Sequence, residues 1–206
     1  MAQPAAKPPR FTWADYQSWA EDERWEVIGG EAFAMSPGPT SRHQHVCLKI
    51  GAELDRYFRG KSCRPFISPM DVKLSDEDIV QPDVLVVCDP RQIKPTHIEG
   101  APALVVEVLS ASSVSHDRVR KTRLYARFGV REFWIVTPYP SVVEVLLLDG
   151  GSYRLVHSYS REEELGSAAF PDLSIPLTEI FNFPLEPGEE PPQVRERPAV
   201  YRSVAD

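Results

Sequence analysis

Two apolar runs decide the fold: QPDVLVVC at 81–88 and ALVVEVLS at 103–110. Each has strand length and is dominated by Val and Leu, the pattern of strands packed on both faces. Each also carries one carboxylate, Asp83 at the opening of the first run and Glu107 inside the second. In strand alternation Val105, Glu107 and Leu109 share one face, and Val106 and Val108 the other. A glutamate in such company is anomalous, because Glu is almost never fully buried unless it is paired or bound to metal. Two acids on adjacent strands can converge on one hard cation such as Mg²⁺. Equally, Asp83 can cap a strand and Glu107 can end one at the surface; the spacing alone is compatible with both arrangements.

Working downstream, Val114 to Phe128 reads as a helix, with Val119, Leu124 and Phe128 apolar among basic residues and Gly129 at its end. Asp117 and Lys121 stand four apart on it, the spacing of a surface ion pair. Arg118, Arg120, Arg123 and Arg127 make this the densest basic cluster in the chain. Such a cluster is either a solvated face or a strip that contacts phosphates. EFWIV, VVEVLLL and YRLVHSY follow as strands, the last two joined by Asp149-Gly150-Gly151, and Phe133 and Trp134 read as core.

Upstream lie strands around CRPFI and MDVKL. Before them, Thr40 to Phe58 is helical, since Val46, Ile50, Leu54 and Phe58 recur every four residues with Leu48 and Ala52 flanking the stripe. Gly60 stops that helix. RWEVIGGEAFAMSP alternates about Gly29-Gly30, a tight hairpin, and FTWADYQSWAED reads as a short helix capped by Thr12. Residues 1–10 read as a disordered leader and 184–206 as a disordered Pro/Glu-rich tail, which leaves one domain over 11–183. Helix, hairpin, long helix, strands, helix, strands is the order of an α+β or α/β sheet with helices packed on it.

The formal net charge of −7 excludes a uniformly basic nucleic-acid coat but leaves room for a local basic groove. Cys47, Cys63 and Cys88 are odd in number and widely spaced, and read as free thiols of a reducing cytosol. No apolar run is long enough to span a bilayer, and the N-terminus lacks the apolar core of a secretory signal, so a cytoplasmic protein is expected. No Gly-rich phosphate loop is present, and Ser36, Ser110 and Ser112 lack the strand–turn–helix setting of a nucleophile elbow.

The ordered set RWEVIGGE, MSPGP, HQHV, QPDVLVV, ALVVEVLS, DRVRK and LYARFGVREFWIV, from Arg24 to Pro138, resembles the Uma family of endonuclease-like proteins in the PD-(D/E)XK superfamily. The resemblance implies a restriction endonuclease-like central mixed sheet flanked by helices, with an N-terminal hairpin and additional C-terminal strands. It implies a metal-dependent site in which Asp83 matches the Asp of the PD motif and Glu107 the (D/E). The superfamily lysine is expected two positions after Glu107, where this chain has Leu109; in the Uma-like pattern a lysine appears later, on the following helix, at Lys121. A long, flexible ammonium stem can reach the same point from there. Glu26, Glu31 and His43 also match family positions. Glu26 is either an additional acid near the metal or a solvent-facing strand residue. Glu31 is expected to be structural or edge-protecting. His43, which opens the long helix with Gln44 and His45, is expected as a cap or surface residue, with a proton carrier as the sharper alternative.

The expectation is then a Mg²⁺- or Mn²⁺-dependent endonuclease acting on DNA. Asp83, Glu107 and the main-chain carbonyl near Val108 hold the metal, Lys121 and Glu26 assist, and Arg118, Arg120 and Arg123 position the backbone. Its rivals are a non-catalytic nuclease-fold binding module and a structural metal site. A homodimer is expected, with the strands of Arg24–Met35 as a candidate interface.

Overall fold

A computed structural model of the chain describes residues 9–19, 24–35, 38–109 and 116–183, with side chains from residue 119 onward in the last segment. The chain opens with α1 (Trp13–Tyr16), β1 (Trp25–Ile28), β2 (Glu31–Ala34) and α2 (Ser41–Phe58). Five strands follow: β3 (Arg64–Ile67), β4 (Val72–Ser75), β5 (Asp78–Val80), β6 (Val84–Val87) and β7 (Ile98–Glu99), and then β8 (Leu104–Val108). After α3 (His116–Phe128) come β9 (Glu132–Thr137), β10 (Val142–Asp149), β11 (Ser152–Ser160), β12 (Glu164–Gly166), β13 (Ser174–Pro176) and α4 (Leu177–Ile180).

The local causes are those read from the sequence. Thr12 caps α1 in a capping box with Asp15. Gly29 and Gly30, both at positive φ, make the two-residue turn between β1 and β2. Thr40 Oγ1 accepts from His43 N at 3.2 Å and starts α2. The stripe Val46, Ile50, Leu54 and Phe58 is buried, whereas Leu48 is exposed. Gly51 lets α2 settle on β3: a Cβ there would meet the Ile67 side chain at 2.9 Å.

A mixed six-stranded sheet, ordered β11-β10-β9-β8-β6-β3, forms the centre. Only β8 and β9 pair in parallel within it, with α3 as the crossover between them. Strand alternation splits its residues between two cores. Val84, Val86, Val106, Trp134 and Val136 pack with α2 and α4. Leu85, Val87, Val105, Phe133 and Ile135 pack with Leu124 and Tyr125 of α3. Burial of both faces explains why β6 and β8 are nearly continuous apolar runs. A five-stranded sheet, β2-β1-β5-β4-β7, carries the hairpin, and β12 pairs with β13. Arg127 of α3 bonds Asp78 of β5 at 2.6 Å and ties the crossover helix to this second sheet.

Several readings change. Cys63 and Cys88 form a disulfide, and only Cys47 is a free thiol. The antiparallel register Arg64↔Val87 of β3 and β6 brings the two cysteines together across their 25-residue separation, which spacing in the sequence does not reveal. Val119 is half exposed and does not share the buried face of α3. Strands β5, β7, β12 and β13 and helix α4 go beyond the elements read from periodicity; each spans four residues or fewer. The disordered leader and tail fall outside the described residues apart from Pro9 and Arg10, and Arg10 pairs with Glu77. No helix among the described residues is long and apolar enough to cross a membrane.

Candidate active site

Four of the residues singled out from the sequence meet at one end of the central sheet. Asp83 immediately precedes β6, and the antiparallel register Val84↔Val106 sets it beside the C-terminal end of β8. Its Oδ2 accepts from the main-chain N–H of Val108 at 2.8 Å. Among the described contacts no hydrogen bond reaches its other oxygen.

Glu107 projects from β8 on the α3 side. Its Oε1 accepts from Tyr125 Oη at 2.6 Å, and Lys121 Nζ lies 3.1 Å and 3.2 Å from its two oxygens. Lys121 and Tyr125 are four apart on α3, so one helix face presents both donors. Lys121 Nζ also lies 2.9 Å from Glu26 Oε1, which in addition accepts from Gln81 N at 3.0 Å. The lysine and Glu26 side chains are 6% exposed, and Glu107 12%. Lys121 is therefore a buried cation between two buried carboxylates, and the Asp117 side chain, with which local spacing suggested a surface pair, lies outside the described residues. Glu26 faces inward and is not the solvent-facing strand residue of the alternative reading.

The electrostatics follow from this packing. Burial raises the Glu107 pKa; Lys121 opposes the rise, and the charges of Asp83 and Glu26 add to it. Lys121 pairs with two of the three carboxylates, Glu26 and Glu107, and Asp83 adds a third charge nearby.

His43 is not a free helix cap. Its Nε2 lies 3.3 Å from Asp83 Oδ2 and its Nδ1 3.6 Å from Cys47 Sγ, and its side chain is 12% exposed. Burial disfavours the imidazolium, but the hydrogen bond and charge of Asp83, with the Val108 backbone, outweigh it and the His43 pKa is raised. Burial pushes the Cys47 thiol up, and the nearby charges of Asp83 and Glu107 add to the effect. His43, Cys47 and Asp83 thus form a compact group of potential metal ligands.

The basic strip is less convergent. The Arg120 guanidinium stacks on the Phe33 ring of β2, 3.8 Å from its centroid, and Arg123 is exposed. The Arg118 side chain lies outside the described residues. Glu31 is exposed on β2, the edge strand of its sheet. Tyr125 and Cys47 were not singled out from the sequence for the site. Each stands four residues after a residue that was, Lys121 and His43, and that spacing was the available signal.

Comparison with known proteins identifies the family and the fold. Residues 13–178 match the model of the Uma2 family, described as "Putative restriction endonuclease". Two uncharacterized proteins of Synechocystis sp. are similar to the chain. One is 31% identical over 142 residues, covering 68% of this chain and 74% of its own. The other is 26% identical over 156 residues, covering 71% and 79%. A crystal structure described as a "putative nuclease belonging to DUF820" from Anabaena variabilis superposes with a TM-score of 0.67 at 18% identity, covering 84% of this chain and 98% of that one. The fold is thus that of a nuclease-like protein, and the chain belongs to the Uma2 family.

Proposed function

We propose that the protein hydrolyses phosphodiester bonds in DNA and uses a divalent cation, Mg²⁺ or Mn²⁺, held by Asp83, Glu107 and the main-chain carbonyl of Val108. The observation that carries this reading is the convergence of Asp83, Glu107, Glu26 and Lys121 at one sheet end. The donor set fits the ion. Carboxylate and carbonyl oxygens suit a hard cation, and among the described residues no hydrogen bond reaches the second Asp83 oxygen. The cation would supply a more acidic bound water and offset charge on the phosphate.

The residues of the chain divide the remaining work. The Val108 amide fixes the Asp83 carboxylate. Tyr125 and Lys121 orient Glu107. Glu26 holds the Lys121 ammonium at the sheet end, where it can donate to a phosphate oxygen as negative charge builds there. Arg118, Arg120 and Arg123 on α3 offer cations for the flanking backbone, contacts that position DNA without reading its sequence. A two-fold dimer would set two such sites against two antiparallel strands, and the open edge at β2 leaves the hairpin available for pairing. Light scattering at micromolar concentration is then expected to give twice the chain mass, and the monomer mass alone removes the dimer.

Incubation with supercoiled and linear DNA tests the activity. Cleavage is expected with Mg²⁺ or Mn²⁺, none with EDTA, and none from Asp83→Ala. Equal cleavage by Asp83→Ala and the unaltered protein sinks the reading.

A further inference from the structure

His43 has no task in that reading, yet it stands with Cys47 and Asp83 in one group of potential metal ligands. It lies one turn before Cys47 on α2, and its ring spans the gap between the Cys47 sulfur and the Asp83 carboxylate. The 3.3 Å from Nε2 to Asp83 Oδ2 is longer than the about 2.7–2.9 Å of a strong charge-assisted hydrogen bond, so the contact that a protonated ring makes there is a weak one. The same spacing matches the separation of two ligands on one small ion: bonds of about 2.1 Å put nitrogen and oxygen roughly 3.0–3.4 Å apart, from octahedral to tetrahedral angles. The other ring nitrogen is also accounted for. A ligating histidine normally gives its second N–H to a neighbouring acceptor, which fixes the tautomer and the ring plane. Here Cys47 Sγ stands 3.6 Å from Nδ1 in a buried position.

We propose that His43 Nε2 is a ligand of the metal beside Asp83, with Cys47 holding the ring through Nδ1, and that the site therefore selects a first-row transition ion such as Mn²⁺ or Co²⁺ over Mg²⁺. This rests on Asp83 as the anchor of the metal site proposed above. The chemistry is that of donor preference. Imidazole nitrogen suits transition ions, whereas Mg²⁺ prefers oxygen ligands and retained waters. A nitrogen at this position should therefore raise the affinity for Co²⁺ and Mn²⁺ and leave that for Mg²⁺ nearly unchanged.

The test uses the full chain stripped with EDTA and dialysed, then titrated calorimetrically with Co²⁺, Mn²⁺ and Mg²⁺. Co²⁺ is expected to bind at least about 10-fold tighter than Mg²⁺, and His43→Ala to lower Co²⁺ affinity by roughly 10–100-fold while moving Mg²⁺ affinity much less. Pulsed electron paramagnetic resonance of the Mn²⁺ complex is expected to show a directly coordinated nitrogen in the unaltered protein and none in His43→Ala. Absence of nitrogen coupling in the unaltered protein overturns the proposal, a result that needs no variant to fold. Equal losses for Co²⁺ and Mg²⁺ in a folded His43→Ala also overturn it. Asp83→Asn separates the two levels: if it abolishes binding of all three ions while His43→Ala changes none, the oxygen site stands and the histidine ligand falls. If Asp83→Asn binds all three ions undiminished, the underlying reading falls instead.

Discussion

Replacing Lys121 with methionine tests the centre of the site, because it keeps the apolar stem and removes the charge. In the folded protein the ammonium lies 2.9 Å from Glu26 and 3.1 Å from Glu107, with all three side chains largely out of water. Removing one member of a buried ion pair typically costs about 3–5 kcal/mol, because the charge left behind has no compensation. Glu107 is already biased toward its protonated form in the unaltered protein, so further proton uptake there relieves little of that loss.

The sign of the pH dependence follows from linkage. The Glu107 pKa is raised above its unfolded value in the unaltered protein, so the folded state binds more protons than the unfolded state above the ordinary glutamate value and stability falls as pH rises. Urea denaturation in EDTA should show Lys121→Met destabilised by about 3–5 kcal/mol at pH 7, with the unaltered protein itself losing stability as pH rises from 5. Adding Glu26→Gln should recover part of the pH 7 loss without restoring cleavage. Single-turnover cleavage by the folded fraction should fall about 10²-fold or more, the scale of one removed transition-state donor. A loss under ~1 kcal/mol at pH 7, as expected of an exposed pair, would refute the buried cluster. Unaltered turnover would refute the catalytic lysine.

Three further outcomes follow from named contacts. Tyr125→Phe removes the 2.6 Å donor to Glu107 and should cost about 1.5–3 kcal/mol in denaturation, with slower cleavage because the carboxylate is less well oriented. Glu132 is fully buried and bridges Trp134 Nε1 and Ala169 N, both at 2.6 Å; Glu132→Ala should cost at least about 2 kcal/mol and leave cleavage per folded molecule unchanged. Arg120→Ala should weaken DNA binding and lower the slope of log affinity against log salt by about 1, with a smaller effect on single-turnover rate. An unchanged slope would leave Arg120 with its stacking on Phe33 alone.

How much of this was legible depended on the range over which each cause acts. The hairpin turn at Gly29-Gly30 and the stripe of α2 are local, and both were readable from neighbouring residues. Glu107 stood out because it breaks an apolar strand, and alternation placed it on the α3 side of the sheet. Long-range pairings were hidden. Cys63 and Cys88 meet only because β3 and β6 pair, and Lys121 reaches Glu26 and Glu107 only because α3 is laid across the sheet end. The short strands β12 and β13 have three residues each, too few for alternation to register. His43 and Cys47 show helical spacing in the sequence, yet the spacing has meaning only once Asp83 is placed against them.

The substitution of Leu109 for the expected lysine has a physical rationale in the same geometry. Position 109 shares the strand parity of Glu107, but its side chain packs against the core that includes Val105, Leu124 and Tyr125. A lysine there would have to leave that apolar surface to bring its charge to the carboxylates, at a desolvation cost with no fixed partner. From α3 the approach differs. The helix stacks Lys121 and Tyr125 one turn apart, so the ammonium and the phenol reach Glu107 together, and Glu26 from the second sheet closes the far side. Moving the cation to the helix therefore lets Leu109 fill the core and recruits β1 to the site. If Lys121 is the catalytic cation, as proposed, Glu26 is the positioning residue that holds it, through the 2.9 Å contact. The reverse swap, Lys121→Met with Leu109→Lys, is accordingly expected not to restore cleavage, because the new ammonium would lack the contact with Glu26 that holds the present one in place.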